Sequence, residues 1–154
     1  MMVGGRQKNQ AVFDAYLLMG DAYGASGQPY KAMEAYGQVL RNAPKTPAAQ
    51  KAKWATARLY AEQGNAFAQY NLGIIYYHGE GVARSYKTAV KWFTFSAEQG
   101  FALAQTSLGT MYAQGKGIVQ SYKTAVKWFT LAAEQGNKNA QNNLGMMYIN
   151  GQGL

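Results

Sequence analysis

The chain repeats itself with a period of 36 residues. Residues 65–100 and 101–136 align without a gap, and 22 of the 36 positions are identical. A third copy starts at Asn137 and reaches Leu154 with only the first half of the unit. Self-similarity at this period is typical of proteins in which each unit buries its apolar face against its neighbours. The repeat therefore predicts a stacked array of small units.

Each unit is predicted to contain two helices. In the first helix, over about residues 66–78, Leu72 and Tyr76 lie four residues apart on one apolar face. Ser85 is a good N-cap for the second helix, over about residues 86–99. Glycines follow both helices and allow the chain to leave them with positive φ. The predicted fold class is all-α, an α/α superhelical solenoid of antiparallel helix pairs.

Glycine and tryptophan recur at fixed positions of the repeat. Gly73, Gly109 and Gly145 lie in the middle of the first helix of each copy, where glycine costs about 1 kcal/mol relative to alanine. We therefore expect a close contact at this position, with the paired helix as the neighbour. Trp92 and Trp128 are predicted to supply large apolar surfaces between the layers.

The repeat as a whole resembles a known family. The pattern A-x-A-Q-x-x-L-G-x-x-Y-x-x-G-x-G, followed by S-Y-x-x-A-x-x-W-x-x-x-A-A-E-Q-G, is similar to the Sel1-like repeat; it covers residues 65–154, and about 53–64 in part. The resemblance implies an α/α solenoid related to tetratricopeptide repeats, and a non-catalytic adaptor that assembles protein complexes. Some members join their helices by disulfides, whereas this chain has no cysteine, so packing alone must stabilise it.

The first third of the chain carries a looser pattern. Tyr16, Gly20, Ala32 and Pro44 fall where a tetratricopeptide repeat has its signature residues, so residues 13–46 resemble such a repeat. A further helix is expected after this pair, with Thr46 as its N-cap. The predicted segments are a disordered tail (1–9), a tetratricopeptide-like helix pair (10–46), a junction helix (47–63), two Sel1-like repeats (64–100 and 101–136) and a partial repeat (137–154).

The candidate binding surface follows from the resemblance, because first helices line the concave face of such solenoids. The positions assigned to this face differ between the first two copies, although most positions of the repeat do not. We expect them to bind a protein or peptide segment; the alternative is that the aromatic members pack against the preceding helix. The predicted partner-binding residues are Phe67, Tyr70, Ile74, Tyr77, His78, Leu103, Thr106, Thr110, Gln114, Asn139, Asn142, Met146 and Asn150.

The sequence offers little for catalysis. With no cysteine and one histidine, a thiolate site, a Ser-His-Asp site and a multi-histidine metal site are all disfavoured. We expect no catalytic residue, no metal and no cofactor. Glu62, Glu98 and Glu134 recur at helix ends, where we expect a structural hydrogen bond to the next helix.

The charge balance leaves a second function open. Fifteen Lys and Arg against seven Asp and Glu give a net charge of +8, which attracts anionic surfaces such as RNA or membrane. The basic residues are scattered, so solvated helix faces are the favoured explanation and nucleic acid is the less favoured partner. The repeated basic positions of the second helices are Lys87, Lys91, Lys123 and Lys127.

Two further expectations concern the ends of the chain. No secretory signal precedes the first helix, which favours the cytoplasm, although a matured periplasmic or secreted form would look the same. At the carboxyl end, either the last repeat is truncated from a longer array or its helix caps the stack. Met146, Met147 and Ile149 are expected to leave an apolar patch on this helix. A homotypic contact through that end is therefore a hypothesis.

Overall fold

The computed structural model describes the backbone of residues 2–154 and the side chains of residues 9–154. Within these residues the chain forms helices and turns and no strand, so the fold is all-α. It divides into two compact units, residues 1–63 and 64–154. The helices are α1 (Met2–Ala25), α2 (Pro29–Asn42), α3 (Pro47–Glu62), α4 (Ala66–His78), α5 (Tyr86–Glu98), α6 (Ala102–Gln114), α7 (Tyr122–Glu134) and α8 (Lys138–Ile149).

Helix starts follow the capping residues of the sequence. Thr46 Oγ1 accepts a hydrogen bond from the Ala49 N–H at 3.2 Å, and Pro47 occupies the first helical position of α3. Ser85 Oγ accepts from the Thr88 N–H at 3.1 Å, and the equivalent bond at the start of α7 measures 3.2 Å. These side chains satisfy N–H groups that have no partner inside the helix. The predicted caps are therefore confirmed.

The start of α1 differs from the expected one. We predicted a disordered tail over residues 1–9 and a helix from about Gln10, but α1 begins at Met2. Residues 2–9 contain no proline, and extending an existing helix adds one hydrogen bond for each residue fixed. The helix therefore continues through the two glycines of this segment, Gly4 and Gly5. Met1 and the side chains of residues 1–8 lie outside the described residues.

The first unit is a helix pair with a third helix against it. α1 packs on α2, and α3 packs on both. Gly20 of α1 lies under the ring of Tyr36, where an added Cβ would come within 2.6 Å of Cδ1. Small alanines of α3 complete the core. Its buried members are Ala32, Tyr36, Val39, Ala48, Ala52, Ala55 and Leu59.

The second unit is an α/α solenoid of antiparallel helix pairs. α4 packs on α5 and α6 on α7, while α5–α6 and α7–α8 contacts join the successive repeats. The core between them consists of two clusters of buried side chains. They are Ala89, Val90, Phe93, Ala97, Ala104, Leu108 and Met111, and then Ala125, Phe129, Ala132, Ala140 and Met147.

The recurring glycines explain how the paired helices approach each other. A Cβ added to Gly73 would lie 2.6 Å from Phe93 Cδ1, and one added to Gly109 would lie 2.8 Å from Phe129 Cδ1. The predicted close contact with the paired helix is thus confirmed for both complete copies. Phenylalanines fill the centre of the core, whereas Trp128 is half-buried at its edge.

Candidate binding groove

A cavity of about 420 Å³ lies between the three first helices of the second unit. α4, α6 and α8 each contribute a group of side chains to it, and α5 contributes one phenylalanine. The repeat therefore brings equivalent positions of successive copies onto one surface. The lining residues are Ile74, Tyr77, His78, Phe93, Thr106, Ser107, Thr110, Met111, Asn139, Asn142 and Asn143.

The predicted binding residues divide into three groups. Seven line this cavity: Ile74, Tyr77, His78, Thr106, Thr110, Asn139 and Asn142. Gln114 and Met146 line a smaller cavity of about 170 Å³ beside it, which shares Thr110 and Asn143 with the first. Phe67, Tyr70, Leu103 and Asn150 line neither cavity. We call the two adjoining cavities the groove.

Two aromatic residues predicted for the groove, Phe67 and Tyr70, lie outside it and contact other aromatic rings. Tyr70 is half-buried, with its ring 5.8 Å from the Phe93 ring and 5.4 Å from the Phe101 ring. Phe67 is 59% exposed and meets Phe101 edge-on at 6.0 Å. Aromatic pairs at these separations stabilise packing. Tyr70 therefore acts as a core residue, while Leu103 and Phe67 remain exposed outside the groove.

The middle helix of the groove presents hydrogen-bond acceptors. Thr106 Oγ1 donates to the Ala102 carbonyl and Thr110 Oγ1 donates to the Thr106 carbonyl, both at 3.0 Å. Each hydroxyl carries one proton and two lone pairs. Because the protons point back into α6, the lone pairs remain to accept hydrogen bonds from N–H groups in the groove.

The last helix supplies side-chain amides. Asn139, Asn142 and Asn143 lie at i, i+3 and i+4 of α8, which places them on one face. An asparagine side chain offers two donors and one acceptor oxygen. This wall of the groove can therefore pair with both the N–H and the C=O of a bound backbone.

The opposite wall is aromatic. The Tyr77 ring lies 5.0 Å from the His78 ring and 5.2 Å from the Tyr86 ring. Lys116 Nζ donates to Tyr77 Oη at 3.3 Å and lies 5.6 Å from the centre of the Tyr77 ring. Lys116 lies beside the groove through its contact with Tyr77. No Lys, Arg, Asp or Glu is among the residues that line the groove itself. The lining is thus apolar and amide-rich, with little net charge.

Among the lining residues that the sequence did not predict, Ser107 and Asn143 occupy one position of the repeat. Ser107 and Asn143 both line the larger cavity, and the corresponding residue of the first copy is Asn71. This position also differs between the first two copies, so the variability that selected the other positions would have selected it. It lies next to a predicted position, one step of about 100° around the helix.

The recurring hydrogen bond at the helix ends comes from glutamine. Gln99 Nε2 donates to the Gly64 carbonyl at 2.9 Å and to Gln69 Oε1 at 2.7 Å. In the next copy, Gln135 Nε2 donates to the Gly100 carbonyl at 3.0 Å and to Oε1 of the buried Gln105 at 2.9 Å. We expected the neighbouring glutamates in this role. The amide is suited to it because it is uncharged and can donate beside a buried partner.

The described residues contain no cluster of three or more His, Cys, Asp or Glu side chains that could hold a metal ion. None of the described helices has both the length and the hydropathy of a membrane span.

The repeat also matches a family model. The model of the Sel1 repeat matches residues 66–101, 102–137 and 138–154, which together make up more than half of the chain. The chain belongs to the Sel1 repeat family. Proteins of this family generally act as protein-interaction scaffolds and are typically non-catalytic. The matches begin at residue 66, so the tetratricopeptide-like character of residues 13–46 stays a prediction.

Solved structures of Sel1 repeat proteins are similar to this chain. One is a protective antigen present in uropathogenic Escherichia coli strains that displays an SLR fold, with 31% identity and a TM-score of 0.67 over 97% of this chain and 36% of that one. Another is a Sel1 repeat protein from Oxalobacter formigenes, with 34% identity and a TM-score of 0.64 over 89% of this chain and 63% of that one. This chain therefore spans less than two thirds of either length. A comparison with curated proteins gives no match.

Proposed function

We propose that this Sel1 repeat protein is a non-catalytic scaffold whose groove binds an extended segment of a partner polypeptide. The observation that carries the proposal is the composition of the groove, which combines an aromatic wall with hydroxyls and amides and has few charges. An extended backbone presents one donor and one acceptor in each residue. The asparagines of α8 and the threonine lone pairs of α6 are matched to such groups, and the cavity at Ile74 and Tyr77 is matched to a side chain.

The basic second helices support a different candidate function. Lys87, Lys91, Lys123 and Lys127 are all exposed, and a stripe of lysines can bind an anionic surface. Such binding weakens steeply as the salt concentration rises. The groove contains few charges, so binding there should depend little on salt. This difference separates the two candidates.

The experiment selects ligands from a library of displayed random peptides on the immobilised chain and measures their affinity by fluorescence anisotropy. The test variant carries His78→Ala and Asn142→Ala, because both residues are exposed and line the groove. The control variant carries Lys91→Ala and Lys127→Ala on the second helices. Tyr70 is left unchanged, since its loss would disturb the core.

The groove variant should bind the selected peptides at least about tenfold more weakly, as truncation of central contacts does at other interfaces. The lysine variant and a change from 50 to 200 mM salt should alter the affinity little. Equal affinity of wild type and groove variant would refute the proposal. A loss confined to the lysine variant, together with a steep salt dependence, would assign binding to the basic face.

A further inference from the structure

The aromatic wall of the groove holds a lysine from the next repeat. Lys116 lies in the segment between α6 and α7, and its side chain contacts the repeat before it. Its Nζ atom is 5.6 Å from the centre of the Tyr77 ring and 5.6 Å from that of the Tyr86 ring, and it donates to Tyr77 Oη at 3.3 Å. Because Tyr77 lines the groove, these contacts fix a positive charge at one edge of it.

A second cation lies against the same tyrosine. The guanidinium carbon of Arg84 is 5.1 Å from the centre of the Tyr86 ring. An aromatic ring attracts cations through the negative charge of its face, so Tyr86 helps to position both side chains. We call Lys116 and Arg84 the Tyr86 cations. Two positive charges beside one ring repel each other, and a bound anion would relieve this repulsion.

The Tyr86 cations have no acidic partner in the described part of the chain. Neither makes an ion pair with a described residue, and Glu80, between α4 and α5, is exposed to solvent. An ammonium group has three protons to donate, and the described residues accept one from Lys116, at Tyr77 Oη. A cation that has lost part of its water gains most from a charged acceptor. The remaining donors of Lys116 are therefore suited to a carboxylate.

Lys116 also differs from the lysines of the second helices. It is half-buried, whereas the other lysines of the second unit are exposed. Lys91 contacts the Trp92 ring at 5.4 Å, but Trp92 does not line the groove. The position of Lys116 is occupied by Glu80 in the first copy and by Gln152 in the third. Its charge thus varies between copies, as expected of a residue that contributes to specificity and not to the shared packing.

We propose, on the basis of the function proposed above, that the Tyr86 cations bind the side-chain carboxylate of an aspartate or glutamate in the segment that occupies the groove. Lys116 donates the charged hydrogen bond, and Arg84 adds positive charge beside it. The partner is therefore an acidic polypeptide segment, with its carboxylate at the aromatic wall. One such contact gives a far weaker salt dependence than a surface that contacts many phosphates.

The first test compares selections from one random peptide library. Each peptide is displayed with its carboxyl end fused to the carrier protein, so that only side chains supply carboxylates. Selection proceeds in parallel on the wild-type chain and on a variant with Lys116→Gln and Arg84→Gln, whose helices are checked by circular dichroism. We expect Asp and Glu to be enriched at one position of the peptides selected on wild type, and this enrichment to be absent on the variant.

The second test measures the coupling between the two charges. The most enriched peptide is synthesised with its acidic residue and with the corresponding amide, and each form is titrated against wild type and Lys116→Gln by fluorescence anisotropy. The amide should weaken binding to wild type about tenfold, as loss of a hydrogen bond to a charged group does, and should leave binding to Lys116→Gln unchanged. Lys116→Arg should keep most of the affinity, because it keeps the charge. Lys91→Gln is the matched control and should bind as wild type does.

Separate results would overturn this inference and the proposed function. Peptides that require His78 and Asn142 but show no acidic enrichment, or that bind Lys116→Gln as tightly as wild type, would overturn the inference and leave the groove function standing. Loss of binding when the carboxyl end of the synthetic peptide is amidated would assign the cations to a chain terminus, and would also overturn it. A library that yields no peptide dependent on the groove would refute the proposed function and the inference together.

Discussion

The helix pairs of the two units pack in the same way, with a glycine of one helix under an aromatic ring of the other. They differ in the polar side chain that makes the accompanying hydrogen bond, which we call the polar anchor. In the first unit Gly20 lies under Tyr36, and in the second unit Gly109 lies under Phe129. Tyr36 Oη then donates to Asp21 Oδ1 at 2.6 Å, whereas phenylalanine has no such group and a glutamine at the end of α7 supplies the hydrogen bonds. Close approach of two helices therefore requires the glycine and the ring, while the polar anchor varies.

The comparison also separates what recurs from what varies within the second unit. The glycine, the phenylalanine and the glutamines recur and hold the helices together. Apart from the shared phenylalanine, the positions that line the groove differ between the first two copies, as Tyr77 and Ala113 do at one position of the repeat. A shared frame can therefore present different contact surfaces without loss of packing, which is the property expected of a binding scaffold.

The largest effect is expected from removing the ring. Phe129→Ala should lower the free energy of unfolding by about 3–5 kcal/mol, because it deletes a buried aromatic side chain and leaves a cavity. Tyr36→Ala should lower the free energy of unfolding by a similar amount, because its ring lies over Gly20 in the same way. Leu131→Ala, at a residue 44% exposed on α7, is the control and should cost much less. Urea unfolding followed by circular dichroism measures all three. Equal losses for Phe129→Ala and Leu131→Ala would refute the role of the ring.

A smaller effect should follow loss of the glutamine anchor. Gln135→Ala removes two hydrogen bonds and takes a donor from the buried Gln105, so we expect a loss of about 1–3 kcal/mol in the same unfolding experiment. Glu134→Ala, at the adjacent exposed residue, should change stability by less than about 0.5 kcal/mol. A larger loss of stability for Glu134→Ala than for Gln135→Ala would show that the glutamate makes the stabilising contact at the helix end, as we first expected.

The smallest effect concerns the tyrosine anchor of the first unit and depends on pH. Burial, the hydrogen bond to Asp21 and the charge of Asp21 raise the pKa of Tyr36 above its usual value, while the charge of Arg58 opposes the shift. The folded chain thus holds the proton more tightly than the unfolded chain. The resulting stability is present below about pH 10, where the unfolded tyrosine titrates, and is lost as the pH rises above it.

Tyr36→Phe should therefore cost about 1 kcal/mol at pH 8 from loss of the hydrogen bond, and less at pH 10.5. Urea midpoints at the two pH values measure the difference, and the other tyrosines cancel because both chains contain them. Tyr112→Phe, at a half-buried tyrosine of the second unit, is the control. A deficit that stays constant between the two pH values would contradict the assigned cause.

The sequence predicted the helices, their caps and the close contacts because these depend on short-range chemistry. Ser85 caps the helix that directly follows it, and a glycine that recurs in mid-helix indicates a close neighbour, as it has at Gly73 and Gly109. The groove was predicted in part: Ile74 and Thr110 line it, but Tyr70 packs on Phe93 and Phe101. A helical phase alone places a side chain to within about 100°, and which neighbour it meets depends on packing between copies.

The glutamine anchor was not predicted because Glu98 and Gln99 recur together at the same period. Repetition alone gives no reason to prefer one of them. The choice is set by which side chain points at the Gly64 carbonyl and at Gln69, which only the packed structure shows.

In both complete copies, the glycine of the first helix receives the aromatic ring of the second helix. Parallel measurement of the free energies of unfolding of Gly109→Ala and Gly145→Ala tests it most directly. Gly109→Ala should be destabilised by about 1–3 kcal/mol, because the new methyl group overpacks against the Phe129 ring. Gly145→Ala should instead be stabilised by up to about 1 kcal/mol, because alanine favours the helix and meets no neighbour. Stabilisation of both variants by the same amount would contradict the account.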